Sequence, residues 1–333
     1  MQFSPAIVMS IALLGCSGSE NKIGRLTQTD VFHQVPTNMV DVLWVVDNSS
    51  SMADEQEKIG DRFGDFILGL NDADVDWHVG VISTDLDEPE GAGVLRGEPR
   101  ILTADTPDYL RLFQERVELG TDGSDKEKGI DAAFEALSYP LIVSFDANDG
   151  FRRDGAMLMI NYFSDENDCS DRGGLRDVEG GVACYSQQDK LAPVAELIRD
   201  YRTLVSGDER LIVSSIVGPS ISAGCEGSKP GTRYQTMAKA FGGLQGDICD
   251  TDFIDIMQEL GLQAGGMSTS FILEHFAVLE TIEVWVDEDT VLPDSEDGWS
   301  YDDEYHVIHF HGDAIPPRGS RIQVRYEIGQ NDG

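Results

Sequence analysis

Basic residues are scarce in this chain. Its 333 residues include 24 Lys and Arg against 61 Asp and Glu, so the formal net charge is −37. Nucleic-acid binding needs clustered Lys and Arg to neutralise phosphates, and this composition argues against it. The acidic residues are spread along the chain and indicate a solvated surface. An alternative, a surface that holds several Ca²⁺ ions, lacks a complete loop signature, because Asp146–Gly150 is only a fragment of one.

The apolar stretch at the N-terminus, Ala6–Leu14, is too short to span a bilayer as a stable helix. It leads into Leu13-Leu14-Gly15-Cys16, which resembles a bacterial lipobox, although Met1–Pro5 contains no Lys or Arg. The resemblance implies a signal peptide at 1–15 and a lipidated Cys16, and Ser17 after it implies sorting to the Gram-negative outer membrane. Multiple acylation would anchor the chain to the envelope membrane. A buried structural Cys16 is the alternative.

Cysteines are few, and no CxxC pair occurs. Apart from Cys16, an even number remains, which in an exported chain indicates two disulfides. Of the three possible connectivities, the sequence-local one is favoured, with Cys169 bonded to Cys184 and Cys225 bonded to Cys249. A structural zinc site is the alternative, and the missing CxxC spacing disfavours it.

Between residues 38 and 265, apolar runs alternate with helical patterns, without internal repeats or low-complexity tracts. Continuous apolar runs suit strands that are buried on both faces, so we predict a mostly parallel sheet flanked by helices, a three-layer α/β sandwich. Ser51 with Asp54, and later Thr251, fit helix N-caps. The predicted strands are Val40–Val46, Val75–Ser83, Met157–Phe163 and Leu211–Val217, and the predicted helices are Met52–Leu70, Asp108–Val117, 130–137, 191–205, Arg233–Phe241 and Thr251–Gly261.

The two ends of the chain have a different character. Residues 16–37 read as a tether with weak strand character at Val31–Val35. From residue 268 to 333 apolar and polar residues alternate, which predicts a small antiparallel β module with one exposed face. Its predicted core positions are Ile282, Val284, Val286, Ile308, Phe310, Ile322, Val324, Tyr326 and Ile328.

Two predicted strands end in carboxylates and hydroxyls. Val46 is followed by Asp47, and Phe163 is followed by Ser164 and Asp165. Parallel α/β sheets place ligand sites beyond the carboxyl ends of their strands, so these side chains should lie close together. Hard oxygen ligands without thiol or imidazole favour Mg²⁺, with Mn²⁺ or Ca²⁺ as alternatives. The N–H groups at the start of the following helix would help to orient the serines.

The stretch Asp41–Met52, DVLWVVDNSSSM, resembles the metal-ion-dependent adhesion site (MIDAS) of von Willebrand factor A (vWA) domains, where the first strand leads into Asp-x-Ser-x-Ser. The resemblance covers residues 38–265 and implies a Rossmann-like three-layer fold. It also implies a threonine ligand, which Thr121 matches in residue type and Ser124 matches in register, and this choice stays open. The implied metal ligands are Asp47, Ser49, Ser51, Asp165 and one of Thr121 and Ser124.

In vWA domains the metal completes its shell with an acidic residue of the partner. The resemblance therefore implies a non-enzymatic, membrane-anchored binding or adhesion protein of the bacterial envelope, whose protein or glycan ligand offers a carboxylate. The competing functions are a metal-assisted hydrolase, with Glu166 or Asp168 as general base, and a purely structural envelope component. An Asp-x-Ser-x-Ser that only caps a helix is the simplest alternative for the motif. A weaker metal-site candidate groups His309, His311 and Asp313.

Overall fold

The computed structural model describes residues 26–34, 38–87, 91–178, 180–206, 211–220, 225, 227–303 and 306–329. The predicted signal peptide and Cys16 lie outside these ranges. The strands are β1 Thr27–His33, β2 Met39–Val46, β3 Asp76–Ser83, β4 Met157–Ser164, β5 Leu211–Val217, β6 Gln245–Asp247, β7 Ser270–Ile272, β8 Glu283–Val286, β9 Asp289–Val291, β10 Trp299–Asp302, β11 Val307–Phe310 and β12 Arg321–Glu327. The helices are α1 Ala53–Asp61, α2 Phe63–Asp72, α3 Tyr109–Val117, α4 Gly129–Ala136, α5 Val182–Ser186, α6 Val194–Tyr201, α7 Thr232–Ala240 and α8 Ile254–Ala264.

The centre of the molecule is an all-parallel sheet with strand order β3-β2-β4-β5-β6. All residues of β4 and β5 are buried, as their continuous apolar runs predicted. Helices cover both faces of the sheet. Alternate residues of each strand point to opposite faces, so each strand contributes side chains to two cores. On β2, Val42 and Trp44 belong to one apolar core, and Leu43 and Val45 belong to the other. The predicted α/β class is therefore confirmed.

The chain after α8, together with β1, forms two antiparallel sheets, β1-β12-β8-β9 and β10-β11-β7. They share one apolar core that includes Val284, Ile308 and Val324, so the predicted inward-facing positions are confirmed there. β1 pairs with β12 along its whole length, from Thr27 opposite Glu327 to His33 opposite Arg321. The first part of the weak strand signal, Val31–His33, thus belongs to a strand that is added to the sheet of the C-terminal module, and Val35 lies outside the described residues.

The predicted helix Met52–Leu70 is wrong as a single element, because α1 ends at Asp61 and α2 begins at Phe63. Gly60, a weak helix former, lies at this break and closely approaches Gln114 of α3, where a Cβ atom would be only 2.9 Å from the Gln114 Cγ.

Neither predicted N-cap side chain caps its helix. The Ser51 hydroxyl is hydrogen-bonded to Asp165 instead. At the start of α8, Asp252 takes the place predicted for Thr251, since its Oδ1 accepts the Ile254 N–H at 3.0 Å.

Both disulfides have the predicted sequence-local pairing, with Cα separations of 5.2 Å for Cys169–Cys184 and 5.3 Å for Cys225–Cys249. Cys169 lies in the segment after β4, and the second disulfide joins the segments after β5 and β6. The disulfides therefore cross-link loops at the carboxyl end of the parallel sheet. Within the described ranges, no helix has the length and apolar character needed to cross a membrane.

Candidate metal centre

Asp47 lies at the carboxyl end of β2 and is completely buried. Its Oδ1 accepts the Ser49 N–H at 2.7 Å, and its Oδ2 accepts the Ser164 hydroxyl at 2.6 Å. The Asp47 N–H donates to the Phe163 carbonyl at 2.9 Å. The ends of β2 and β4 are therefore locked together around this carboxylate, as their position in a parallel sheet requires.

The two motif serines connect Asp47 to the second predicted carboxylate. The Ser49 and Ser51 hydroxyl oxygens are 3.4 Å apart, and the Ser51 side chain is hydrogen-bonded to Asp165. The backbone carbonyl of Asp165 accepts the Lys229 N–H at 2.7 Å, which fixes this loop against the loop after β5. The structure thus brings Asp47, Ser49, Ser51 and Asp165 together at one edge of the sheet.

A third buried carboxylate, Glu127, belongs to the same cluster. It interacts with Asp47, and its Oε2 accepts the Thr84 hydroxyl. Thr84 follows β3, so three neighbouring strands contribute to the cluster. The lysines that flank Glu127 point elsewhere: Lys126 Nζ donates to the Leu175 carbonyl at 3.3 Å, and Lys128 Nζ pairs with Asp171 at 3.2 Å.

Sequence analysis missed Glu127 and Thr84 for different reasons. Glu127 sits in the run Asp125–Lys128, whose charges suggest a solvated loop. The signal for Thr84 was present, because β3 ends in Ser83-Thr84-Asp85 and resembles the ends of β2 and β4. Applying the same rule to every strand end would have found it.

Burial raises the pKa of Asp47, and hydrogen bonds from Ser164 and Ser49 oppose that rise. Burial, followed by the charge of Asp47, raises the pKa of Asp165 to about 6 and holds the pKa of Glu127 well above its ordinary value. The groups that mainly shift these three pKa values include no Lys or Arg among the described residues. Acidic groups therefore dominate the electrostatic surroundings of the cluster.

Three oxygen atoms at this end of the sheet are buried without a hydrogen-bond partner: Asp165 Oδ1, Glu127 Oε1 and Asn48 Oδ1. Buried polar atoms in native proteins nearly always have partners, and each exception calls for an explanation such as an ion. A divalent cation would satisfy unpaired carboxylate oxygens, so the residues present fit the group that the motif implies. Within the described part of the chain, no three Asp, Glu, His or Cys residues are arranged to hold a metal ion by themselves. Serine hydroxyls and water would have to contribute.

The structure separates the two candidates for the remaining ligand. The Ser124 hydroxyl donates to Asp87 at 3.0 Å and its N–H donates to Asp85 at 3.1 Å, so Ser124 faces the loop after β3. Thr121 follows Gly120, whose carbonyl accepts the Gln56 amide at 3.0 Å. The same Gln56 nitrogen donates to the Asp47 carbonyl at 2.8 Å, which ties the loop containing Thr121 to the end of β2.

The acidic residues considered for hydrolysis have unequal surroundings. Asp168 is buried and bonded to Arg233 Nε at 2.9 Å, and it also accepts the Ile130 N–H at 3.1 Å. Glu166 is half-buried, and burial and the charge of Asp47 raise its pKa. Asp168 therefore has a structural role, and Glu166 lies beside the cluster.

The histidines of β11 and its C-terminal end make separate contacts. His309 Nδ1 is 2.8 Å from the Ser270 hydroxyl, and His311 Nε2 is 2.7 Å from the Ser300 hydroxyl. In the ranges that the structure describes, they form no metal-binding group with Asp313.

Comparison with known proteins finds no matching family model and no matching curated protein. The pilus adhesin SpaC from Lactobacillus rhamnosus GG aligns at 10% identity over 90% of this chain and 41% of its own, with a TM-score of 0.43. The pilus adhesin RrgA from Streptococcus pneumoniae aligns at 10% identity over 92% and 59%, with a TM-score of 0.33. The conserved hypothetical protein BatB from Bacteroides thetaiotaomicron aligns at 16% identity over 67% and 96%, with a TM-score of 0.34. This chain spans less than two thirds of either adhesin, and the similarities are too loose to support a function.

Proposed function

We propose that this chain is a metal-dependent binding protein of the bacterial cell envelope, built on a vWA-type domain and anchored through a lipidated Cys16. A divalent ion held by Asp47, Ser49, Ser51 and Asp165 recognises a protein or glycan partner that offers a carboxylate. The ion supplies Lewis acidity and coordination positions for that carboxylate.

One observation carries the proposal: the buried Asp165 Oδ1 has no hydrogen-bond partner although its carboxyl group faces Asp47 across a chain of hydroxyls. Two buried carboxylates repel each other unless a positive charge lies between or beside them. Among the described residues, no Lys or Arg is a leading cause of the pKa shifts of Asp47 and Asp165, and a bound divalent ion would offset their repulsion. Few carboxylates with short hydroxyl ligands suit Mg²⁺, and Mn²⁺ or Ca²⁺ are the alternatives.

The residues around the ion ligands hold them in place. Ser164 donates its hydroxyl to Asp47 at 2.6 Å and thereby fixes one carboxylate oxygen. Gln56 fixes the backbone carbonyl of Asp47, as described above. Such supporting hydrogen bonds orient metal ligands and are a recurrent feature of metal sites. We propose binding and not hydrolysis, because Asp168, one of two candidate bases, is held by Arg233.

The anchoring part of the proposal is separate from the metal part and has its own test. Intact-mass analysis of the protein purified from bacterial membranes should show a chain that begins at an acylated Cys16. An unprocessed chain that begins at Met1 without acylation would contradict the anchoring and leave the metal site untouched.

The binding function is tested by capture of envelope components on the immobilised chain, with Mg²⁺ and with chelator. Capture should require Mg²⁺ and should be lost in Asp47→Asn. Asp131→Asn is the matched control, because Asp131 is another carboxyl that is partly buried and bonded to backbone amides, those of Asp171 and Arg172. Equal capture with Mg²⁺ and with chelator would support a purely structural role instead.

A further inference from the structure

The loop between α4 and β4 exposes several large apolar side chains. Tyr139 is 81% exposed, Val143 40% and Phe145 fully exposed. They lie in the nine-residue run Leu137–Phe145, LSYPLIVSF, which contains no charged residue, although charged residues make up 26% of the chain. Contiguous exposed apolar side chains of this kind mark interaction sites. We call residues 139–145 the apolar tip.

The apolar tip is held in place by its own base. Asn148 is buried, and its Nδ2 donates to the carbonyls of Gly93 at 2.8 Å and Ala136 at 2.9 Å. Its Oδ1 accepts the Leu95 N–H at 3.0 Å, and its own N–H donates to the Leu141 carbonyl at 2.8 Å. Three of these hydrogen bonds fix Asn148 to the body of the domain, and the fourth joins it to the tip at Leu141.

Phe145 has a φ of 72°, in the left-handed region that a bulky residue rarely adopts. The Asp149 carboxylate accepts the Phe145 N–H at 2.8 Å and supports this conformation. Strained backbone persists where the surrounding structure enforces it, and it clusters at functional positions. Here it presents a phenyl ring wholly to the outside.

We propose that the apolar tip inserts into the interfacial region of a lipid bilayer of zwitterionic composition. An uncharged projection of aromatic and aliphatic side chains suits that region, where amphipathic rings such as tyrosine concentrate. A second copy of this chain is disfavoured as the occupant, because each copy has a net charge of −37. Exposed Asp146 and Asp149 flank the tip and disfavour an anionic surface in the same way.

The chain that precedes the described residues places a membrane within reach. This step rests on the anchoring part of the proposed function, a lipidated Cys16. An extended chain spans about 3.3–3.6 Å per residue, so residues 16–26 reach roughly 35 Å at most. A bilayer held that close has a high effective concentration compared with any free partner.

The position of the tip determines how the metal centre is oriented relative to the membrane. The tip lies in the connection from α4 to the amino end of β4, whereas Asp47 and Asp165 follow the carboxyl ends of β2 and β4. A tip in contact with the bilayer would direct the metal centre away from the membrane, where a partner can approach it.

The test uses the full chain purified from bacterial membranes and reconstituted into phosphatidylcholine vesicles that contain brominated acyl chains. Phe145→Trp should show blue-shifted emission that the bromine atoms quench. Leu68→Trp is the matched control, because Leu68 is a 56% exposed apolar residue on α2, outside the tip. Wild-type emission, from Trp44, Trp77, Trp285 and Trp299, is subtracted from both.

Equal emission and equal quenching for the two variants would overturn the proposal and favour an apolar pocket of a partner protein as the occupant. The intact mass of the same samples separates this result from a failure of anchoring. An acylated Cys16 without quenching of the Phe145→Trp emission contradicts the tip contact alone. Quenching in a chain that carries no acyl group supports the tip contact and contradicts the anchoring.

Discussion

Strand β2 carries a buried aspartate at each end, and the two are neutralised differently. Asp41 lies at the amino end and is 1% exposed, and Asp47 follows the carboxyl end and is 0% exposed. Burial raises the pKa of both carboxyl groups. At Asp41, the groups that oppose this rise in pKa include a guanidinium. At Asp47, the groups that oppose it are hydroxyls, a backbone amide and another carboxyl group.

At the amino end, Arg153 supplies the positive charge. Its Nε lies 2.7 Å from Asp41 Oδ1, and its backbone N–H donates to Asp41 Oδ2 at 2.6 Å. The guanidinium also pairs with Asp76 at 2.9 Å. The charge of Asp41 is therefore balanced by a side chain of the protein and needs no bound ion.

At the carboxyl end, Asp47, Glu127 and Asp165 form a cluster in which, among the described residues, no guanidinium or ammonium group is a leading cause of the pKa shifts. The difference teaches that burial of a carboxylate alone does not indicate a metal site. The informative feature is a buried carboxylate whose neighbours leave oxygen atoms unpaired, as they do at Asp165 and Glu127.

The largest expected effect comes from removing the Cys169–Cys184 disulfide at the carboxyl end of the parallel sheet. Cys169 donates its N–H to the Glu127 carbonyl at 2.6 Å, and its disulfide to Cys184 closes a loop with a sequence separation of 15. Replacing both cysteines by serine should lower the free energy of unfolding by about 3 kcal/mol, from the loop-closure entropy of such a loop. Denaturant unfolding measures it.

Hydrogen exchange on the same variant sharpens the comparison of the two ends. The amide of Asp131, after Glu127, should exchange faster, and the amide of Arg153, which is bonded to Asp41, should not. The Cys225→Ser/Cys249→Ser variant is the control, since it removes the other disulfide and keeps Cys169, whose N–H is bonded to the Glu127 carbonyl. Faster exchange at both ends would show that the ends do not behave separately.

A slightly smaller effect should come from the metal. With Mg²⁺ at about 100 times its Kd, binding to the native state alone stabilises it by about 2.7 kcal/mol. Asp47→Asn should lose this stabilisation without becoming less stable than the wild type in chelator, because it removes one of the mutually repelling carboxylates. Unfolding curves with Mg²⁺ and with chelator measure both quantities. A variant that is destabilised equally in both conditions would identify Asp47 as a structural residue only.

Asp41→Asn is the mirror experiment at the other end of β2. Breaking a buried ion pair costs 3–5 kcal/mol when the remaining charge has no partner, and Asp76 still pairs with Arg153, so we expect a loss of about 2 kcal/mol. The loss should be the same with Mg²⁺ and with chelator. A loss that Mg²⁺ reverses would contradict the assignment of the ion to the carboxyl end.

The smallest effect is a shift in titration. Burial is the main cause that raises the pKa of Asp165 and the pKa of Asp131, each to about 6. A raised carboxyl pKa means that the native state takes up a proton before the unfolded state does, so each group favours folding as the pH falls from about 7 towards 4. In chelator, NMR titration should therefore find both midpoints near 6.

Mg²⁺ should lower the midpoint of Asp165 and leave that of Asp131 unchanged, because a bound cation favours the ionised form of its ligand. Equal movement of the two midpoints would point to a general salt effect. If neither midpoint moves, Asp165 is not a ligand of the ion.

Much of the parallel sheet could be predicted from the sequence, because strands buried on both faces need continuous apolar runs. The predicted strand Leu211–Val217 matches β5 residue for residue. β6, Gln245–Asp247, has no such signal, since it is a short polar strand at the sheet edge. The pairing of β1 with β12 joins opposite ends of the chain, and no local pattern encodes such a contact.

The candidate site was predictable where a strand end fixes a residue in space. Asp47 and Asp165 follow adjacent parallel strands, so their proximity follows from sheet geometry. Glu127 and Ser124 lie in a loop, where side-chain direction depends on tertiary contacts. The structure directs Ser124 to Asp87, and it buries Glu127 between Asp47 and Thr84.

Calorimetric titration of the metal-free chain with Mg²⁺, Mn²⁺ and Ca²⁺ tests the central claim most directly. We predict one saturable site per chain for at least one of these ions, abolished in Asp47→Asn and retained in Asp41→Asn. Absence of binding by the folded wild-type chain, or equal binding by wild type and Asp47→Asn, would contradict the proposed metal centre.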